Sequence, residues 1–164
     1  MGIEIERKFL VRTDGWRALV TRQSSLRQGY LSSNAKATVR VRTKDDSTAM
    51  LTLKGVATGL VRAEYEYPIP VEDARELLAM AAPNVVEKVR HIVPHDGLLW
   101  EVDVFSGKHA GLVTAEVELS DAEQKIVLPD WVGLEVSYDD RYANASLARS
   151  FGVPEAHVVA QLPG

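Results

Sequence analysis

Acidic and basic side chains recur along this chain in like-signed pairs two residues apart. Glu4/Glu6, Glu64/Glu66, Glu101/Asp103 and Glu116/Glu118 supply carboxylates, Arg40/Arg42 and Lys88/Arg90 supply cations, and Lys8, Lys54 and Arg62 stand singly among them. Like charges side by side repel, and a merely solvated surface has no need to pair them. Clustered carboxylates suit a hard divalent cation such as Mg²⁺ or Mn²⁺, which takes oxygen ligands. Clustered Arg and Lys suit phosphate oxygens, Arg through its planar fork and Lys as a point charge. Both sets together describe a site for a metal-bound polyphosphate.

A spacing of two is the period of a β-strand, so each pair projects from one face of an extended segment. Alternation predicts strands over 3–11, 25–32, 38–44, 49–55, 61–69, 84–94, 98–105 and 113–120, with a small strand pair at 126–128 and 132–136. Turns are expected at Asp45-Asp46-Ser47 and His95-Asp96-Gly97, and Gly29 marks a bulge or a close approach. The clearest helix covers 71–82, with Glu72 and Asp73 in its first turn and Pro83 as its stop. A second is expected over 144–151, and short helical turns near 16–21 and 121–124.

In nearly every predicted strand the face opposite the charges is apolar. Two architectures fit. An open sheet buries its apolar face under the helices and leaves the charges in water, where cross-strand ion pairs add about 0.2–1 kcal/mol each. A closed sheet turns the charges inward and makes a polar tunnel, a costly interior unless acids and bases pair or a charged ligand and a metal complete it. Periodicity does not choose between them; the like-signed pairing favours the second.

The chain has 164 residues, 46% of them apolar and 26% charged, which is the balance of one ordinary globular domain spanning 1–164. It has no cysteine, so a disulfide framework, a thiolate nucleophile and a Cys-ligated metal are excluded. Acids begin at once and no apolar run approaches about 18 residues. A cytoplasmic protein without membrane contact is therefore the expectation. A net charge of −4 argues against non-specific nucleic-acid binding.

The opening Glu4-Ile5-Glu6-Arg7-Lys8 resembles the E-x-E-x-K signature of the CYTH family, the triphosphate tunnel metalloenzymes. The later pairs occur in the order that family shows, with Leu53-Lys54-Gly55 between Arg40-x-Arg42 and Glu64-x-Glu66, and the likeness extends over about residues 2–150. The resemblance implies an α+β, mainly antiparallel fold: an eight-stranded tunnel barrel with a charged interior and helices outside. It also implies metal-dependent hydrolysis of a triphosphate, with inorganic tripolyphosphate the expected substrate. The alternatives are a thiamine triphosphatase, a class IV-type adenylyl cyclase making cAMP from ATP, and a non-catalytic polyphosphate- or nucleotide-binding module. Carried over by residue, Lys8, Arg40, Arg42, Lys54, Lys88 and Arg90 would hold phosphate, and Glu4, Glu6, Glu116, Glu118 and Asp103 would serve Mg²⁺ or Mn²⁺. Glu4, Glu6, Lys8 and Lys88 form the implied catalytic set, with Arg62, Glu64, Glu66 and Glu101 pairing or supporting charge in the tunnel.

Arg27 and Tyr30 fall in a segment that also resembles the family and are expected near a tunnel mouth. His91, His95, His109 and His157 lack ligand spacing and are read as surface or turn residues; Trp16, Trp100 and Trp131 as core. Asp139-Asp140-Arg141-Tyr142, then Asn144 and Leu147, resembles the family's approach to a last helix, leaving Arg141 and Arg149 as candidates to close one tunnel end. A homodimer is compatible with the sequence, although no apolar stripe demands one.

Overall fold

Antiparallel pairing runs around a closed ring. The computed structural model describes residues 2–155, so His157 lies outside the described residues. It contains β1 (Ile3–Val11), β2 (Arg22–Ser33), β3 (Thr38–Lys44), β4 (Thr48–Lys54), β5 (Val61–Ile69), α1 (Val71–Ala81), β6 (Val85–His95), β7 (Leu98–Phe105), β8 (Val113–Glu118), β9 (Val132–Glu135) and α2 (Asn144–Ala148). Neighbours follow the order β5-β4-β3-β2-β6-β7-β8-β1, and β1 pairs back onto β5. Eight strands therefore close into an antiparallel barrel, and the open sheet is excluded.

Closure rests on β1. One of its edges pairs with β8, Glu6 opposite Glu118 and Lys8 opposite Glu116. Its other edge pairs first with β5, Glu4 opposite Arg62, and then with β9, Phe9 opposite Glu135. The tight β6–β7 turn has positive φ at both Asp96 (48°) and Gly97 (79°), the geometry that matches the right-handed strand twist.

Because the charges point inward, the apolar faces point outward and need covers. α1 covers β2, β3 and β4, burying Ala74 and Leu78 against Val41 and Ala49. Around β1, β6, β7 and β8 the cover is aromatic. Trp100 packs 5.5 Å from Phe9 and edge-on to Trp131 at 5.7 Å, with Trp16 in the same cluster. All three tryptophans are core residues, as read from the sequence.

A third cluster lies inside the barrel end. Tyr30, Val86 and Phe105, on the inward faces of their strands, meet Tyr142, Leu147 and Ala148. The expected basic plug is absent from the described residues: Arg141 turns outward to Asp139 and Arg149 is exposed. An apolar lid of Tyr142, Leu147 and Ala148 narrows that end instead.

Other expectations need correction. Residues 126–128 form no strand, and β9 pairs with β1 because β5 leaves that edge free beyond Ile5. Residues 121–124 make a turn, in which the Asp121 carboxylate accepts the Glu123 amide at 2.7 Å. α2 ends at Ala148, where Lys108 donates to the last carbonyl. His109 is fully buried beside Phe105, because the 3-10 turn at Gly107–His109 tucks its ring under the sheet. Among the described residues no helix is long and apolar enough to cross a membrane.

Gly29 marks a close approach, and the bulge falls two residues later, between Tyr30 and Ser32. A Cβ on Gly29 would stand 2.8 Å from Ala81 Cβ and 3.1 Å from Leu78 Cδ2. Gly29→Ala should lift α1 off the barrel and cost about 1–3 kcal/mol, read as a lower urea midpoint; an unchanged midpoint would show that the α1 contact is not tight.

Candidate active site

Inward charge is organised in ion pairs, each set by strand register. Glu4 and Lys54, on strands that flank β5, meet at 3.1 Å, and Lys54 also reaches Glu64 at 3.4 Å. Arg40 and Arg42 share Glu66, at 3.4 and 3.9 Å, and Thr52 fixes that carboxylate by donating to it at 3.0 Å. Lys8 stands 3.3 Å from Glu116 and donates to the Tyr142 carbonyl at 2.9 Å.

Deepest is Asp103, with no exposed surface. It accepts two parallel hydrogen bonds from Arg90, at 2.8 and 2.9 Å, and meets Lys88 at 2.7 Å. Arg90 also reaches Glu101 at 3.2 Å and comes within 3.9 Å of Glu116. With Arg90 on both oxygens and Lys88 on one, Asp103 acts in this structure as a charge anchor for the two cations. Burial would raise its carboxyl, but Arg90 and Lys88 outweigh that and hold it below its ordinary value.

The acids differ sharply in what surrounds them. Burial acts to raise Glu116, yet Lys8, Arg90 and Lys88 hold it well below the usual carboxylate range. Glu6 is the opposite case. Among the described residues no cation lies within ion-pair distance of it, and burial, Glu116 and Glu4 push its carboxyl well above the ordinary range. Burial also raises Glu64, with Lys54 opposing and Glu4 adding to the shift. A half-buried carboxyl flanked by two carboxylates is stabilised by a proton or by a cation.

Glu4, Glu6 and Glu116 therefore fit a hard divalent cation by donor chemistry. Among the described residues no three acids or imidazoles are already gathered around a common point; Glu4 is engaged by Lys54, and Glu116 by Lys8 and Arg90. Glu118, expected to join them, is exposed at the strand end opposite Glu6.

The remaining predicted residues divide cleanly. Lys88 is pushed down to about 8 by burial, with Asp103 opposing and Arg90 adding to the shift, and it donates to Asn144 at 3.3 Å. Burial, Arg40 and Arg90 lower Arg42 to about 10. Arg62 pairs with no acid among the described residues and instead braces the wall through the Gly55 carbonyl at 2.6 Å and Thr38 at 3.2 Å. Tyr30 lines the cavity, its hydroxyl accepting from Gln28 at 2.9 Å. Arg27 has the opposite parity on β2 and lies exposed on the outer face, so its expected place at a tunnel mouth is wrong.

Two cavities open from opposite ends of this lining. One, about 490 Å³, is bordered by Glu4, Glu6, Lys8, Arg40, Lys54 and the start of α2; the other, about 510 Å³, by Arg42, Arg90, Glu101 and the far ends of β2 to β5. Asn144 and the Tyr142 carbonyl, which reach Lys88 and Lys8, carry no charge pattern, and only their place before the last helix marked them.

An acid whose folded-state pKa is raised favours folding below its unfolded pKa and costs stability as pH rises through that value. Glu6→Gln should therefore raise the melting temperature of the metal-free protein at pH 8 by a few degrees and change it little at pH 4. Equal or lower stability of the variant at pH 8 would contradict the environment assigned to Glu6.

Comparison with known proteins agrees with this architecture. The model of the CYTH domain matches residues 2–151. The chain is 44% identical over 151 residues to an inorganic triphosphatase of Acetivibrio thermocellus, covering 92% of this chain and 96% of that one. It is 42% identical over 154 residues to an inorganic triphosphatase of Nitrosomonas europaea, covering 90% and 97%. It also superposes on the crystal structure of the inorganic triphosphatase NE1496 with a TM-score of 0.66 and 38% identity, covering 91% of this chain and 96% of that one. A family match over nearly the whole described chain, with relatives this similar over this length, shows that the chain belongs to the CYTH domain family.

Proposed function

We propose that this protein is a divalent-metal-dependent triphosphatase whose substrate is inorganic tripolyphosphate. The observation that carries the proposal is the double lining: six inward cations, Lys8, Arg40, Arg42, Lys54, Lys88 and Arg90, interleaved with acids in a closed polar interior. Similarity to proteins named inorganic triphosphatase supports the choice of substrate.

The cations would hold the phosphate oxygens, with Arg40, Arg42 and Arg90 offering planar forks and the lysines point charges. To do so they must release Glu66, Glu101, Glu116 and Glu4, which in this structure act as stand-ins for the substrate's negative charge. Glu4, Glu6 and Glu116, with Glu118 at the rim, would hold Mg²⁺ or Mn²⁺. When bound, the cation supplies charge neutralisation and Lewis acidity at the phosphate oxygens.

Asp103 keeps its hold on Lys88 and Arg90 throughout, so both remain aimed into the interior. Lys88, lowered to about 8 by burial and held between Asp103 and Asn144, is placed to donate to an oxygen of the phosphate under attack by water. The buried Nε of Arg40 has no hydrogen-bond partner among the described residues, a donor left for a ligand oxygen.

Phosphate release should be measured from tripolyphosphate, thiamine triphosphate and ATP, with Mg²⁺, with Mn²⁺ and with chelator. Turnover of tripolyphosphate that disappears on chelation is expected. cAMP formed from ATP would replace the proposal with a cyclase, and tight binding of tripolyphosphate without turnover would replace it with a binding module. Glu4→Gln and Arg40→Ala should each lower kcat by roughly 100-fold or more while the fold is retained; wild-type rates in both would reject the site.

A further inference from the structure

The two ends of the interior are electrically unlike. Strands β2 to β5 each give one end to each cavity, so the cavities open on opposite mouths. At the α2 mouth acids and bases are balanced, four of each. At the far mouth Arg22, Arg42, Lys44 and Arg90 face Glu101 alone.

That excess is not a by-product of stability. Arg22 and Lys44 are exposed, and among the described residues neither has a carboxylate within ion-pair distance. Arg42 has only Glu66, at 3.9 Å and shared with Arg40. Like charges gathered on one rim repel, and at Arg22 and Lys44 no carboxylate among the described residues repays them. The rim between them is apolar, with Met50, Pro68 and Ile92. Low-dielectric walls of this kind concentrate the field of a charged cleft and raise the rate at which an ion of opposite sign is captured.

Resting on the triphosphatase reading, we propose that the mouth carrying Arg22 and Lys44 is the port through which the triphosphate anion enters the barrel. The anion meets Arg22 and Lys44 first, then Arg42 and Arg90, and reaches Lys88 and Arg40 along one continuous row of cations. The α2 mouth, blocked in part by the apolar lid and balanced in charge, offers a polyanion no such gradient. Arg22 and Lys44 act on capture, and the chemical step does not depend on them.

The test uses the full chain carrying Arg22→Gln and Lys44→Gln together. The association rate of tripolyphosphate with metal-free protein is read from ³¹P line broadening, and kcat from steady-state turnover with metal. The double variant should bind about 3- to 10-fold more slowly at low ionic strength, with the difference vanishing in high salt as charges are screened. Its kcat should equal that of wild type, and Arg22→Lys with Lys44→Arg should restore the association rate. Lys36→Gln, on the loop beside the α2 mouth, should leave association unchanged. An unaltered association rate in the double variant, or an equal slowing by Lys36→Gln, would overturn the port. Failure of the wild-type protein to turn over tripolyphosphate with Mg²⁺ or Mn²⁺ would overturn the triphosphatase reading itself, which separates the two failures.

Discussion

A carboxylate with no exposed surface, Asp103, holds two cations in the middle of the barrel, and the interior depends on that contact. Taking three charges out of water costs several kcal/mol per ion, and only close geometry with satisfied hydrogen bonds repays it. The two parallel bonds from Arg90 and the 2.7 Å contact with Lys88 meet that condition. Deleting Asp103 alone would leave Lys88 buried without its carboxylate and Arg90 with only Glu101 and Glu116, a loss on the order of 3–5 kcal/mol. The same contact sets the chemistry. It fixes where Lys88 points, and it partly offsets the burial that lowers this lysine to about 8.

Turning charge inward reverses the usual assignment of sheet faces, and the rest of the fold answers that reversal. The outward faces of β1, β6, β7 and β8 become a second core, covered by Trp16 and Trp131, and α1 covers β2 to β4. The barrel is therefore stabilised from outside while its interior stays polar and open at two ends. Most inward acids and bases satisfy one another, whereas Glu6 is a carboxyl among carboxylates, raised by burial, Glu116 and Glu4.

Much of this was legible from residue spacing. Strict alternation specified β3, β5 and β7 to the residue, and the like-signed pairs identified the lining, because a side-chain period of two leaves no freedom in which face a residue takes. What alternation could not reveal was closure, since an open and a closed sheet share the same pattern; the return pairing of β1 onto β5 is a long-range contact with no local signature. Arg27 was placed with Tyr30 on the resemblance of their segment to the family, whereas parity on β2 puts it on the outer face. For Asp103, spacing shows that it faces inward but not that Arg90 and Lys88 engage its oxygens. The lid of Tyr142, Leu147 and Phe105 escaped notice because a basic plug was sought where apolar packing does the work.

The central claim is that the inward ion pairs are stand-ins for a triphosphate and its metal, and the structure of the protein with a non-hydrolysable tripolyphosphate analogue and Mg²⁺ or Mn²⁺ tests it most directly. The account predicts the analogue inside the barrel, with Arg40, Arg42 and Lys54 moved from Glu66 and Glu4 onto phosphate oxygens, the metal on Glu6 and its neighbouring acids, and Asp103 still bound to Lys88 and Arg90. An analogue bound outside the barrel, with those ion pairs intact and Glu6 far from the metal, would contradict it.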